Sequence, residues 1–194
     1  MIRKILFASS NEHKVNEMRN LFSSSSWQII SPKEIGIRPL NVLEFGSSYA
    51  QNAIAKIEAY QQYTHLPILA DDSGIEVKAL NGKPGIYSAR FGGQFIKNDT
   101  QRNEYLLRLL DEVVFYNRTA IFKAVLAIRF HDSETIIREG NVLGHIALES
   151  RGMNGFGYDP IFELNNGQTM AELGSQKQEI SHRALAVKAL LDVL

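Results

Sequence analysis

The sequence predicts an α/β fold with a mixed sheet, from three observations. A short apolar run at residues 4–8 passes through a polar turn into a helical pattern. A second helical pattern at 47–63 is followed by Pro67 and an apolar strand at 68–70. The β-rich runs 119–130 and 134–142 are separated by only three residues, which indicates a long antiparallel hairpin. Strands alternating with helices, together with a hairpin, give a mixed sheet flanked by helices.

The remaining elements follow from the same patterns. After residue 11, apolar side chains recur at helical spacing, and the serine-rich patch 23–26 leads into a strand at 27–30. A helix is expected at 101–110 and another at 181–194. The glycine-rich stretch 75–93 is expected to be mostly loop with short strands, and 152–157 is expected to be a shaped loop. With no internal repeat and no long linker, we expect one domain over residues 1–194.

Composition excludes several classes of function. The chain is 44% hydrophobic and 22% charged, which is ordinary for a globular domain. Its 21 basic residues balance 21 acidic ones, so no global charge favours nucleic acid or an anionic membrane. The absence of cysteine excludes disulfides and thiolate metal sites. No signal peptide or apolar run near the roughly 20 residues of a membrane span is present, so a cytoplasmic location is expected.

The first loop is a candidate phosphate-binding site. Residues 8–14, with the sequence ASSNEHK, end a strand and open a helix, where unpaired backbone N–H groups face outward. Helix capping by Ser9, Ser10 or Asn11 explains these residue types equally well. Lys14 is the part of the pattern that capping does not require.

Two adjacent carboxylates, Asp71 and Asp72, follow the apolar strand 68–70 and precede Gly74. Alternation along a strand predicts that they point to opposite sides, so only one should face a given site. Oxygen ligands without cysteine suit Mg²⁺, and Glu44 is a candidate second ligand. Taken alone, the motif is more typical of an ordinary Asx-type turn.

Two further segments near the C-terminus carry candidate site residues. In the loop 152–160, glycines surround Phe156, whose ring could stack on a base or pack into the core with equal reason. Ser181 is a ready helix N-cap before His182 and Arg183. Cations at a helix N-terminus oppose the helix dipole, which suggests an anionic or carbonyl partner, although a solvated surface pair is the alternative.

In order, these segments resemble the inosine triphosphate pyrophosphatase family, whose members remove deaminated purine nucleotides. The resemblance covers nearly the whole chain and is carried by five segments: ASSN at 8–11 with Lys14, ADDSGIEV at 70–77, LNGKPGIYSAR at 80–90, GFGYDPIF at 155–162 and ISHR at 180–183. It implies an elongated mixed sheet in two lobes around a central nucleotide-binding cleft, and a homodimer as the usual assembly.

The resemblance also implies the function and the role of individual residues. Non-canonical purine nucleoside triphosphates (dITP, ITP, XTP and dXTP) would be hydrolysed to the monophosphate and pyrophosphate by Mg²⁺-activated water attacking the α-phosphorus. Glu44 and Asp72 match the magnesium carboxylates, and Asp72 also matches the proton acceptor. Substrate contacts match Ser9, Ser10, Asn11, Glu12, His13, Lys14, Lys56, Ser73, Phe156, Gly157, Tyr158, Asp159, Lys177, His182 and Arg183.

The chain departs from the family pattern at two positions. Gln51 replaces a usual glutamate and removes one negative charge near the expected metal, which leaves the number of Mg²⁺ ions open. Ser10 stands where glycine is common. Two alternatives remain: a related pyrophosphatase acting on modified pyrimidine or other aberrant nucleotides, and a non-catalytic module that senses a triphosphate.

Overall fold

The computed structural model describes residues 3–38 and 40–194. Six strands form one sheet in the order β2-β1-β3-β4-β5-β6. The strands are β1 Arg3–Phe7, β2 Trp27–Ile30, β3 Ile68–Val77, β4 Thr119–Arg129, β5 Thr135–Ile146 and β6 Phe162–Glu163. The α-helices are α1 Glu12–Phe22, α2 Tyr49–Tyr60, α3 Asp99–Leu109, α4 Lys177–Ile180 and α5 His182–Leu191.

The sheet is mixed, as the sequence predicts. Strand β1 pairs in parallel with both β2 and β3, whereas β5 and β6 are antiparallel. The neighbours β4 and β5 are joined by five residues, 130–134, too few for the crossover that parallel strands need. They therefore form the expected hairpin, and the mixed α/β class is confirmed.

Polar side chains begin three of the helices. Asn11, Ser48 and Asn98 have extended backbones, and each accepts a hydrogen bond from the backbone N–H three residues later, which satisfies one of the unpaired donors of the first turn. Helices α1, α2 and α3 thus begin within two residues of the boundaries expected from sequence. The short α4 was not anticipated, because four residues are too few to show a helical period.

The expected turn at residues 71–74 is wrong. Strand β3 continues for ten residues through Asp71, Asp72 and Gly74 to Val77. Nearly all residues of β3 are buried, which favours continued pairing in the sheet over a solvated turn. Both carboxylates consequently lie within a buried strand, at 2% and 5% exposure.

The chain divides into two compact units. The first comprises 1–72, 124–140 and 183–194, and the second 73–123 and 141–182. In the first unit one core lies around Phe7, Met18 and Leu126, and another around Leu6, Ile57 and Ile68. The second unit has a core around Ile75, Leu106 and Phe162. Within the described ranges, no helix is both long and apolar enough to cross a membrane.

Candidate active site

In the first unit, the predicted phosphate loop follows the end of β1, and the carboxylates lie within the neighbouring parallel strand β3, just beyond Leu69, the residue that pairs with Phe7 at the end of β1. After β1 the chain passes through α1 to β2 on one side, whereas β3 pairs on the other side of β1. This reversal is a topological switch point, where open α/β sheets bind ligands beyond the carboxyl ends of their strands. Ser9 and Lys14 follow β1, and Asp71 and Asp72 lie in β3.

The phosphate loop is shaped by its own side chains. Ser9 Oγ accepts from Asn11 N–H at 3.2 Å, and Asn11 Oδ1 accepts from Lys14 N–H at 3.2 Å. Ser10, Asn11, Glu12 and His13 are exposed. Capping and phosphate binding are therefore compatible, since the Asn11 side chain closes the first turn while the loop stays open to solvent.

Asp71 joins two cations. Its Oδ1 lies 2.5 Å from Lys14 Nζ and its Oδ2 lies 2.8 Å from Arg183 Nε. Burial alone would raise the pKa of Asp71, but Lys14 and Arg183 hold it well below its usual range. Burial lowers the pKa of Lys14, an effect that Asp71 opposes. Arg183 Nη1 also contacts Glu17 Oε2 at 2.5 Å. Negative and positive charges therefore alternate along the series Glu17, Arg183, Asp71 and Lys14.

Asp72 faces a different set of groups, as alternation along a strand predicts. Lys56 Nζ lies 3.3 Å from Asp72 Oδ1 and 2.7 Å from Glu44 Oε1, so one ammonium joins the two predicted metal ligands. Asn52 Nδ2 donates to Asp72 Oδ2 at 2.9 Å. Burial raises the pKa of Asp72 despite the opposing effects of Lys56 and Asn52. For Lys56, burial would lower the pKa, but Asp72, Asp71 and Glu44 raise it.

The donor set at Asp72 and Glu44 fits a hard divalent cation. In this cluster of described residues four carboxylates (Glu17, Glu44, Asp71 and Asp72) face three cations (Lys14, Lys56 and Arg183), which leaves one formal negative charge. Across the described residues, no three His, Cys, Asp or Glu side chains gather closely enough to enclose a metal alone. Mg²⁺ commonly takes one or two protein carboxylates and completes its shell with phosphate oxygens and water.

The second unit contains the predicted base-binding loop. Asp159 is 1% exposed, and its Oδ2 accepts from Phe156 N–H at 2.8 Å and from Lys177 Nζ at 2.7 Å. The Lys177 ammonium lies 4.9 Å from the centre of the Phe156 ring. Tyr158 hydroxyl donates to Ser88 carbonyl at 2.8 Å. Phe156 is half-buried, and the stacking of its ring on a base stays a prediction.

The structure places the last two predicted residues in different units. His182 is 2% exposed and stacks on Phe122, with ring centres 3.9 Å apart and planes 10° from parallel. Arg183 is 1% exposed and belongs to the alternating charges around Asp71. The alternative interpretation of a solvated surface pair is therefore wrong for both. Ser73 follows Asp72 in β3 and is half-buried.

Comparison with known proteins decides the family. The model of the Ham1 family matches residues 5–193. The chain belongs to the Ham1 family. A dITP/XTP pyrophosphatase of Bacillus licheniformis is 41% identical over 195 residues, which cover 100% of this chain and 98% of that protein.

Solved structures agree with this assignment. The Staphylococcus aureus Ham1 protein has a TM-score of 0.83 at 39% identity, over 98% of this chain and 97% of its own. A HAM1 protein from Coxiella burnetii has a TM-score of 0.86 at 37% identity and covers 98% of both chains. The resemblance inferred from the five sequence segments is thus confirmed.

Three residues of this Ham1 chain belong to the cluster of charged side chains or contact it directly, although the sequence patterns assigned them no role there. They are Glu17, Asn52 and Asp71. Asn52 is fully buried, and its Oδ1 also accepts from Gly46 N–H at 2.9 Å. A Cβ at Gly46 would lie 2.6 Å from that oxygen, so the contact requires glycine. The feature of the sequence that could have identified Asn52 is its polar side chain on the otherwise apolar face of α2.

Gln51, the position that departs from the family pattern, makes its side-chain hydrogen bonds just before the start of α2 in this Ham1 chain. Gln51 Oε1 accepts from the backbone N–H of Ser47 at 2.7 Å and from its hydroxyl at 3.0 Å. Ser48 Oγ in turn accepts from the backbone N–H of Gln51 at 3.3 Å. The side chains of Ser48 and Gln51 therefore both stabilise the start of α2. These contacts need an acceptor oxygen, which glutamine supplies without a charge.

Proposed function

We propose that this protein hydrolyses non-canonical purine nucleoside triphosphates, including dITP and XTP, to the monophosphate and pyrophosphate. The observation that carries the proposal is full-length similarity to a protein named dITP/XTP pyrophosphatase, at 41% identity. The charge cluster of the first unit supports it, because lysines and carboxylates there meet at the switch point of the sheet.

We further propose that Mg²⁺ is held by Asp72 and Glu44. When bound, Mg²⁺ supplies charge neutralisation for the phosphates and lowers the pKa of a coordinated water. The protein's own contribution at this point is orientation, since Asn52 fixes one oxygen of Asp72 and Lys56 lies beside the other.

Asp72 is proposed to accept the proton of the water that attacks the α-phosphorus. A buried carboxylate whose pKa is raised is a better proton acceptor than a solvated one. Lys14 and Lys56 offset the negative charge of the triphosphate and of the departing pyrophosphate. The phosphate loop contributes backbone N–H groups at the start of α1.

The purine is proposed to contact the Phe156 loop, Lys177, His182 and Arg183. An aromatic ring provides a stacking face that does not distinguish bases, so discrimination must come from polar groups. The homodimer, the cytoplasmic location and the lack of nucleic-acid or membrane partners stay predictions from the sequence.

A panel of nucleotides tests the proposal. Pyrophosphate release should be fast from ITP, dITP and XTP with Mg²⁺, slow from ATP and dUTP, and lost when the metal is chelated. Preference for modified pyrimidine nucleotides would favour the related house-cleaning enzyme instead. Tight ITP binding without release would favour a triphosphate sensor.

A further inference from the structure

Two side chains of α3 hold Gly157 from both sides of its backbone. Asp99 Oδ2 accepts from Gly157 N–H at 2.7 Å, and Asn103 Nδ2 donates to Gly157 carbonyl at 3.0 Å. Asp99 and Asn103 are four residues apart and therefore share one face of the helix. All three residues belong to the second unit.

Fixing Gly157 fixes the side chains on both sides of it. Gly157 has a φ of +64°, a backbone conformation that other residues rarely adopt. Phe156 and Tyr158 are the residues directly before and after Gly157. The direction of the Phe156 ring thus depends on whether the Gly157 backbone is held.

Packing alone does not account for Asn103. The residue is 3% exposed, and its Oδ1 has no hydrogen-bond partner among the described atoms. A buried amide oxygen without a donor is costly, and leucine has nearly the same shape without that cost. Leucine lacks the side-chain amide N–H that Asn103 donates to the Gly157 carbonyl.

We propose that Asp99 and Asn103 are positioning residues that set purine affinity by holding the Phe156 loop. Neither residue is proposed to touch the substrate. The inference rests on the proposed function, because the loop is the proposed purine contact. It assigns a role in recognition to α3, a helix outside every motif that indicated the family.

The test compares a ligand that has a base with one that does not. Asn103→Leu and Asp99→Ala should each raise the KM for ITP about tenfold, the effect of losing one hydrogen bond to a charged or buried group. The inhibition constant of inorganic tripolyphosphate, which offers phosphates alone, should stay within about twofold. Asp99→Asn retains an acceptor oxygen and should recover most of the ITP affinity.

Asn98→Ala is the matched control. It removes the cap of α3, whose Oδ1 accepts from Gln101 N–H at 2.9 Å, and leaves both contacts to Gly157 in place. It should lower thermal stability without changing the KM for ITP. Hydrogen exchange at Gly157 N–H should accelerate in Asn103→Leu and Asp99→Ala, and stay near wild type in Asn98→Ala.

Two results would overturn the inference. One is an unchanged KM for ITP in both Asn103→Leu and Asp99→Ala, and the other is an equal loss of ITP and tripolyphosphate affinity. Failure of the wild type to hydrolyse ITP would instead contradict the proposed function. In that case the positioning role would be tested by the calorimetric affinity for ITP and by hydrogen exchange at Gly157 in the same variants. If the wild type did not bind ITP at all, the positioning role would be rejected as well.

Discussion

Replacing Asp71 by asparagine removes a negative charge that is shared by the buried Arg183 and the half-buried Lys14. The Asp71 side chain is 1% exposed and lies 2.5 Å from Lys14 Nζ and 2.8 Å from Arg183 Nε. Asparagine keeps the volume but leaves these cations facing a neutral amide. Removing one partner of a buried ion pair costs about 3–5 kcal/mol. Because Arg183 keeps its contact with Glu17, the lower end of that range is expected.

That loss of stability should be visible as a lower melting temperature. In a chain of this size, about 1 kcal/mol lowers Tm by roughly 2–4 °C, so Asp71→Asn should melt roughly 6–12 °C below wild type. Lys14 should also lose its fixed position, which would weaken triphosphate binding. Because alternation points Asp71 and Asp72 to opposite sides of the strand, Asp71→Asn should affect the chemistry less than Asp72→Asn, and the structure adds this large effect on stability.

Asp72→Asn is the matched comparison and should behave in the opposite way. Burial raises the pKa of Asp72, so the folded state disfavours its charged form. The variant should therefore melt within about 2 °C of wild type or above it. Its turnover should fall by at least about a hundredfold, because a proposed metal ligand and proton acceptor is lost.

Calorimetric unfolding and pyrophosphate release at a temperature below both transitions measure the two effects separately. Equal Tm losses in Asp71→Asn and Asp72→Asn would refute the electrostatic reasoning. Activity of Asp72→Asn within about tenfold of wild type would refute its proposed catalytic role.

Three other variants test separate parts of the account. Lys14→Ala should weaken triphosphate binding far more than monophosphate binding by titration calorimetry, because the lysine is proposed to contact the phosphate tail; equal weakening would place it elsewhere. Arg183→Ala should shrink the ratio of kcat/KM for ITP to that for ATP, chiefly by slowing ITP, and an unchanged ratio would mean that Arg183 does not read the base. Glu34→Gln should reduce stability by under about 1 kcal/mol, since Glu34 is exposed. Hydrogen bonds from Ser31 lower the pKa of Glu34, so its contribution is present above its usual pKa and lost as pH falls through the folded value. Acid unfolding should show the two proteins converging, and a constant difference would contradict the assignment.

Local patterns predicted the elements around the site because short-range rules determine them. The polar turn after β1, a helix cap among Ser9, Ser10 and Asn11, and the alternation of two adjacent carboxylates in β3 each depend on neighbouring residues. The β3 strand was cut short in the prediction because Gly74 resembles a turn signal. Burial and pairing within the sheet override that signal.

Long-range partners could not be predicted from the same patterns. Glu17 contacts Arg183 across 166 positions, and Asn103 contacts Gly157 across 54. The spacing of these residues along the sequence does not predict that they are in contact. The resemblance named Arg183 as a substrate contact but gave no reason for its pairing with Asp71, which only the folded chain reveals.

The central claim is that water attacks the α-phosphorus of a non-canonical purine nucleoside triphosphate. Hydrolysis of ITP in water enriched in heavy oxygen, followed by mass spectrometry of the products, tests it most directly. The account predicts equal amounts of inosine monophosphate and pyrophosphate, with the heavy oxygen in the monophosphate. Heavy oxygen in pyrophosphate, or release of inosine diphosphate and phosphate, would contradict it.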